Sequence, residues 1–229
     1  MEKVTVNMTK TKNPVYFIDE KDVKDLVKSS NPTKRVGDID IPLLEKKLNQ
    51  LPAVDSANVY LNLNGNLNLD IKQRVPAFRL NKDGKDFYVD EKGNEFPISK
   101  NYSFPCMLVT GDVQKSEYQK LAELVDKIDN DEFSKKYFIG VSKEKGGYNL
   151  ITSQGNYKVE IGDLDRIHLK VKGFKTFVEK YLVYQQGEKY SKISVKYDNQ
   201  IVTTLNPNFE ENDSIIVVGN KELAKLPLL

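Results

Sequence analysis

Histidine and cysteine are nearly absent: the 229 residues include one of each, His168 and Cys106. A lone cysteine forms no internal disulfide and builds no structural zinc site, and a lone histidine excludes a two-histidine metal motif. Tryptophan is missing altogether, so there is no indole stacking platform. Arginine is scarce, with Arg35, Arg74, Arg79 and Arg166 the only four among 35 basic residues. A nucleic-acid binder concentrates basic side chains on one face and favours arginine for its planar fork. Here lysines alternate with 33 carboxylates and the net charge is +2, so nucleic acid is not an expected partner. Long apolar runs are lacking too. The longest are about four residues, such as Ile215–Val218, far short of the roughly 20 that span a bilayer. The opening Met1-Glu2-Lys3-Val4-Thr5 has no apolar core of the signal-peptide kind.

What is present is 39% apolar and 30% charged sequence, a surface-rich balance that suits two modest domains better than one globule. Val4 and Val6 alternate with polar residues as in a short strand. Asp19 is placed to cap a helix that Asp22 favours from its first turn, with Val23, Leu26 and Val27 on one face. Asn31-Pro32 and Gly37 interrupt, and Asp40 starts a second helix with Pro42 in its first turn, where a missing N–H costs nothing. Leu44, Leu48 and Leu51 form its stripe, and Pro52 ends it. Val59, Leu61 and Leu63, then Leu67, Leu69 and Ile71, alternate with polar residues as a hairpin. A three-residue loop, Asn64-Gly65-Asn66, pairs Leu63 with Leu67 and Val59 with Ile71 and puts all six on one face. The first unit therefore reads β-α-α-β-β.

Gln73-Arg74-Val75-Pro76 marks a hinge or a sheet edge, because proline removes a ladder donor. Short strands are expected at Ala77–Leu80, Phe87–Asp90, Glu95–Ile98 and Pro105–Thr110, with turns at Asp83-Gly84 and Lys92-Gly93. Ser116 is expected to cap a helix holding Tyr118, Leu121, Leu124, Val125 and Ile128. Strands Tyr148–Ser153 and Asn156–Ile161 follow, then a helix after Asp163 with Ile167, Val171, Phe174, Val178 and Tyr181 on one stripe. A last strand pair, Ile193–Tyr197 and Ile201–Leu205, is joined through Asp198-Asn199. Phe209–Ser214 reads as linker, and Ile215–Val218 as a possible further edge strand. The fold class is thus α+β, with a first domain over 1–73, a larger mixed α/β domain with a mainly antiparallel sheet over 74–205, and a tail over 206–229. The tail has two places to go, folded onto the second domain or free as a docking segment.

In order along the chain, Asp22-Val23-Lys24-Asp25-Leu26, Ile41-Pro42-Leu43-Leu44-Glu45-Lys46-Lys47-Leu48 and Leu51-Pro52-Ala53-Val54 make the first unit resemble a POTRA domain. Gly65 through Ala77, Phe87-Tyr88-Val89-Asp90-Glu91-Lys92-Gly93 with Phe96-Pro97, Thr110-Gly111 and Ile193 through Val202 extend the likeness. Together they resemble the FtsQ/DivIB family of bacterial cell-division proteins over about residues 1–205. Lys196 stands where that family usually has arginine, and the residues after 205 have no placed counterpart.

The resemblance implies a non-enzymatic scaffold at the extracytoplasmic (periplasmic) face of the cytoplasmic membrane, held there by an N-terminal single-pass anchor that this chain does not include. It implies FtsB-type and FtsL-type partners, an indirect link to the septal peptidoglycan synthase FtsW/FtsI, and no cofactor. A partner strand would add to the edge at the end of the second domain, which falls here on Val195, Lys196, Tyr197, Ile201 and Val202. The alternative is a POTRA-containing periplasmic module of an outer-membrane assembly or secretion system. From the residues alone, Tyr197 and Ile201 equally suit a domain core. Cys106 reads as a small apolar strand residue rather than a nucleophile, and His168 as a helix-face residue beside an incidental Asp165. Gly146-Gly147 reads as a hairpin turn, and no acid, base and nucleophile converge.

Overall fold

The computed structural model describes residues 4–31, 35, 38–100 and 102–223. The chain packs into two compact units. One takes the residues up to Ala77 together with Asp86–Cys106, and the other takes Phe78–Lys85 with the chain from Met107 onward.

The first unit opens with β1 (Val4–Met8), α1 (Glu20–Ser30), α2 (Ile41–Asn49), β2 (Val54–Leu61) and β3 (Leu67–Gln73). Its sheet runs β1-β3-β2, with β1 parallel and β2 antiparallel to β3. Both helix starts follow from their cap residues. Asp19 accepts from the Asp22 N–H at 2.8 Å while the Asp22 carboxylate accepts from the Asp19 N–H, and Asp40 accepts from the Leu43 N–H at 2.9 Å. The helices bury Val23, Val27, Leu44 and Leu48 against Val54, Val59, Leu67, Leu69 and Ile71. Each such side chain contributes roughly 1.5–3 kcal/mol on leaving water.

The hairpin register differs from the expected one. Leu61 faces Leu67 and Val59 faces Leu69, two residues off the predicted pairing, and the connection spans Asn62 to Asn66. Asn62 dictates it: its Oδ1 accepts from the Asn64 and Asn66 N–H groups at 3.1 and 2.9 Å, and its own N–H donates to the Asn66 carbonyl. A shift of two keeps Val59, Leu67, Leu69 and Ile71 buried but ejects Leu63, which is fully exposed, and leaves Leu61 exposed as well.

β4 (Pro76–Lys82) enters the second unit and turns back through Asp83-Gly84, both left-handed at φ 52° and 72°. The hairpin of β5 (Lys85–Asp90) and β6 (Glu95–Pro97) belongs almost wholly to the first unit. Arg74 holds it. The guanidinium reaches Asp90 Oδ2 at 2.5 Å, the Pro52 carbonyl at 3.1 Å and the Val54 carbonyl at 2.9 Å. The Phe17 ring adds edge contacts to Tyr88, Phe96 and Tyr102.

The second unit continues with β7 (Met107–Thr110), α3 (Tyr118–Asp129), α4 (Glu132–Tyr137), β8 (Phe138–Glu144), β9 (Gly147–Thr152), β10 (Lys158–Gly162), α5 (Ile167–Lys180), β11 (Tyr190–Ser194), β12 (Val202–Leu205) and α6 (Asp213–Leu223). Its strands lie in the order β12-β11-β10-β9-β8-β7-β4. Pairs β4–β7, β7–β8 and β10–β11 are parallel. Among the described strands antiparallel pairs still outnumber parallel ones. Rings from the helices pack on the sheet, Tyr118 against Phe78 and Phe174 against Phe138. Tyr137 and Tyr157 join their hydroxyls in the core.

α4 and β8 have no counterpart among the elements expected from the sequence. α3 is entered through a 3-10 turn at Lys115–Glu117, where the Glu117 carboxylate accepts from the Gln114 N–H at 2.8 Å, so Ser116 is not the cap. Tyr181, predicted on the stripe of α5, is 61% exposed just past its end. Phe209–Ser214 is no linker and Ile215–Val218 no strand: Glu210–Asn212 form a 3-10 turn that leads into α6. Buried Asn212 fixes that turn, its Nδ2 donating to the Lys189 and Asn206 carbonyls at 2.8 and 2.9 Å.

Candidate partner-binding edge

β12 is the terminal strand of the second unit. It pairs with β11 through Val202↔Ser194, Thr203↔Ile193, Thr204↔Lys192 and Leu205↔Tyr190, with an irregularity between Tyr190 and Lys192. Among the described residues no strand lies on its other side. Side chains along β12 alternate between exposed and half-buried, and none is fully buried. Every second residue of such a strand directs its N–H and C=O outward, so the edge is a template for another strand.

Both ends of the edge are fixed. Beyond Leu205, the Asn206 N–H donates to the Lys189 carbonyl at 2.8 Å and its side chain to the Glu188 carbonyl at 3.0 Å. At the other end, β11 runs from Tyr190 to Ser194, as long as predicted but three residues earlier, and β12 begins at Val202, one residue later than predicted. The reason lies between them: after the last ladder bond, from the Val195 N–H to the Glu160 carbonyl at 2.9 Å, Arg166 holds Asp198 at 2.5 Å and Asn199 is left-handed at φ 56°. The chain therefore loops out between the strands.

The five predicted site residues gather around this loop. Val195 is buried immediately after β11, Lys196 and Ile201 are half-buried, Tyr197 is 46% exposed, and Val202 is 43% exposed at the start of β12. Only Val202 is itself a strand residue of the edge. Lys196 places its Nζ 5.0 Å from the Tyr197 ring centroid and 3.2 Å from Glu160 Oε1. That bond to Glu160, with Tyr197 beside it, raises the Lys196 ammonium above its ordinary value. Burial pushes Glu160 up, but the Ser194 hydroxyl, Lys196 and Lys192 outweigh it and hold the carboxylate below its usual range. The sequence reading missed Glu160 and the Asn206–Asn212 clamp. Glu160 lies 36 residues from Lys196, and only the parallel β10–β11 pairing brings them together.

The remaining candidates lie elsewhere. His168 is exposed on the first turn of α5, while Asp165 is engaged by Lys120 at 2.6 Å. Cys106 is half-buried just before β7. Gly147 starts β9 at φ 112°, in the turn expected there. Among the described residues no helix is long and apolar enough to cross a membrane.

A β-α-α-β-β unit joined to a larger mixed α/β unit, whose sheet has β12 as its terminal strand, defines a two-module α+β class of protein. Residues 2–72 match the POTRA-like domain, and residues 75–204 match the family described as FtsQ/DivIB, C-terminal related. The second match covers more than half of the sequence, and the chain belongs to the FtsQ/DivIB family. Proteins of this family are non-enzymatic, membrane-anchored cell-division proteins with an extracellular domain. Comparison with curated proteins gives no match.

Proposed function

We propose that the protein is a scaffold of the bacterial division machinery that accepts a β-strand from an FtsB-type partner along β12. FtsL-type protein joins the same complex, which links to septal peptidoglycan synthesis by FtsW/FtsI on the periplasmic side of the membrane. The observation that carries this reading is the terminal strand β12, paired on one side only, with exposed Tyr197 and Val202 at its entry. A partner strand would take its affinity from the outward backbone groups and its register from alternate side chains. Lys196 and Lys192 share the single carboxylate of Glu160 beside the entry, and the surplus positive charge suits a partner strand that carries carboxylates. The match over 75–204 favours this over a module of an outer-membrane assembly system.

Calorimetry with the extracytoplasmic segment of an FtsB-type protein tests it. The wild-type chain binds, and Tyr197→Ala and Ile201→Asp each weaken binding about tenfold, as expected for contacts near the centre of an interface. Equal affinity for all three chains assigns the partner to another surface.

A further inference from the structure

The first unit also has a terminal strand, β2, but its outer side is occupied. Residues on an antiparallel edge strand alternate between those that bond their neighbour and those that face outward. Ala57 and Val59 are of the second kind, and both are satisfied by side chains of α2. The Asn49 amide meets Ala57 as a neighbouring strand would: its Oδ1 accepts from the Ala57 N–H at 2.9 Å, and its Nδ2 donates to the Ala57 carbonyl at 3.2 Å. The Glu45 carboxylate accepts from the Val59 N–H at 3.0 Å. The Glu45 carbonyl also accepts from Asn49 Nδ2 at 2.9 Å, which orients the amide toward the strand.

The geometry explains why two guards fit. Four helix residues rise about 6 Å, close to the roughly 6.8 Å between alternate residues of a strand. The helix and the strand run in opposite senses here, so 45 faces 59 and 49 faces 57. One turn earlier, Ile41 has no polar group to continue the pattern. Beyond it the chain leaves β2 at Leu61 for the Asn62-bonded loop, which offers no further length for pairing.

We propose that Glu45 and Asn49 close the β2 edge against strand addition, so that strand-type partners, including a second copy of this chain, are excluded from the first unit at this edge. The inference stands apart from the proposed use of β12. Asn49→Ala and Glu45→Ala keep helix-forming residues in α2 and remove only the guards. Amide hydrogen exchange and sedimentation velocity on the full chain test it. In the wild type the Ala57 and Val59 amides are protected despite having no strand partner, and the chain shows no association through this edge. In the Glu45→Ala/Asn49→Ala double variant, exchange at both amides in dilute solution accelerates about tenfold. At high concentration the variant self-associates and the two amides become protected again. Glu45→Gln, which keeps the acceptor, behaves as wild type at Val59.

Unprotected Ala57 and Val59 amides in the wild type overturn the proposal. So does a double variant with released amides that stays monomeric at every concentration. If the double variant does not fold, equal Val59 exchange in Glu45→Gln and Glu45→Ala overturns it, and slow exchange in the first with fast exchange in the second supports it.

Discussion

Replacing Arg74 with alanine leaves a buried carboxylate without its counter-charge. The Asp90 side chain is 4% exposed and that of Arg74 17%, and they meet at 2.5 Å. The same guanidinium closes on two carbonyls in the α2–β2 segment, Pro52 and Val54, and its carbon lies 6.0 Å from the Phe96 ring centroid. Removing one partner of a buried ion pair costs about 3–5 kcal/mol, because the remaining charge stays desolvated. Asp90 keeps three other donors, the Lys92 N–H at 2.9 Å, the Asn94 N–H at 2.8 Å and Asn94 Nδ2 at 3.1 Å. Those bonds place the loss near the lower end, about 3 kcal/mol. With a urea slope of about 1.5–2 kcal/mol/M, the midpoint for the first unit falls by roughly 1.5–2 M. Arg74→Lys retains the charge but not the three-way fork, and loses about half as much. Urea unfolding followed by circular dichroism measures both, with unchanged slopes as the check on folding behaviour. An Arg74→Ala midpoint within about 0.3 M of wild type would show that Asp90 is not held as a desolvated pair, and the reasoning fails.

Asp131 caps α4, accepting from the Ser134 N–H and hydroxyl at 2.8 and 2.7 Å, and pairs with Lys175 at 2.9 Å. The Lys175 bond, then those of Ser134, lower its carboxyl to about 2. Asp131→Ala should cost about 1 kcal/mol at neutral pH. Because the folded value is depressed, that contribution is complete above the ordinary carboxylate value and disappears as pH falls through about 2. Wild-type and variant unfolding curves measured from pH 7 to pH 2 should therefore converge at the acid end. Two glycines give opposite signs. A Cβ on Gly147, at φ 112°, would lie 2.5 Å from the Gly162 carbonyl oxygen, so Gly147→Ala should cost at least about 2 kcal/mol. Gly173, inside α5, has open space around its Cβ position, and Gly173→Ala should gain about 0.5–1 kcal/mol in thermal unfolding.

Much of the first unit was legible because its signals are local. Asp19 and Asp40 announce helix starts by their own chemistry, and the alternation of Leu67, Leu69 and Ile71 names the buried face directly. The hairpin register was not legible, because pairings two residues apart bury the same face and only the bonds of Asn62 choose between them. The six residues of α4 are too few to display a helical period. β8 hides its alternation behind a bulge between Phe138 and Gly140, so that buried Phe138 and Val141 lie three positions apart. At the C-terminal end, the β-branched run Ile215–Val218 argued for a strand, but the buried Asn212 turn launches a helix there.

The candidate edge was legible in outline only. Its position at the end of the second domain followed from the family resemblance, and the alternation of Ile193–Tyr197 and Ile201–Leu205 marked a strand pair. The loop between 194 and 202 did not show, because the ion pair that holds it out joins Asp198 to Arg166, 32 positions away. Sequence periodicity carries no record of such pairs. The guards on β2 were hidden for a related reason. Glu45 and Asn49 read as ordinary polar residues on the outer face of a helix, and their role depends on a strand lying alongside in the opposite sense.

Amide hydrogen exchange on the full chain, with and without the extracytoplasmic segment of an FtsB-type protein, tests strand addition at β12 at the level of single backbone groups. New protection is expected at outward amides within Val202–Leu205, with Ala57 and Val59 on β2 unchanged. Tight binding that leaves Val202–Leu205 unprotected, or that protects β2 instead, would contradict it.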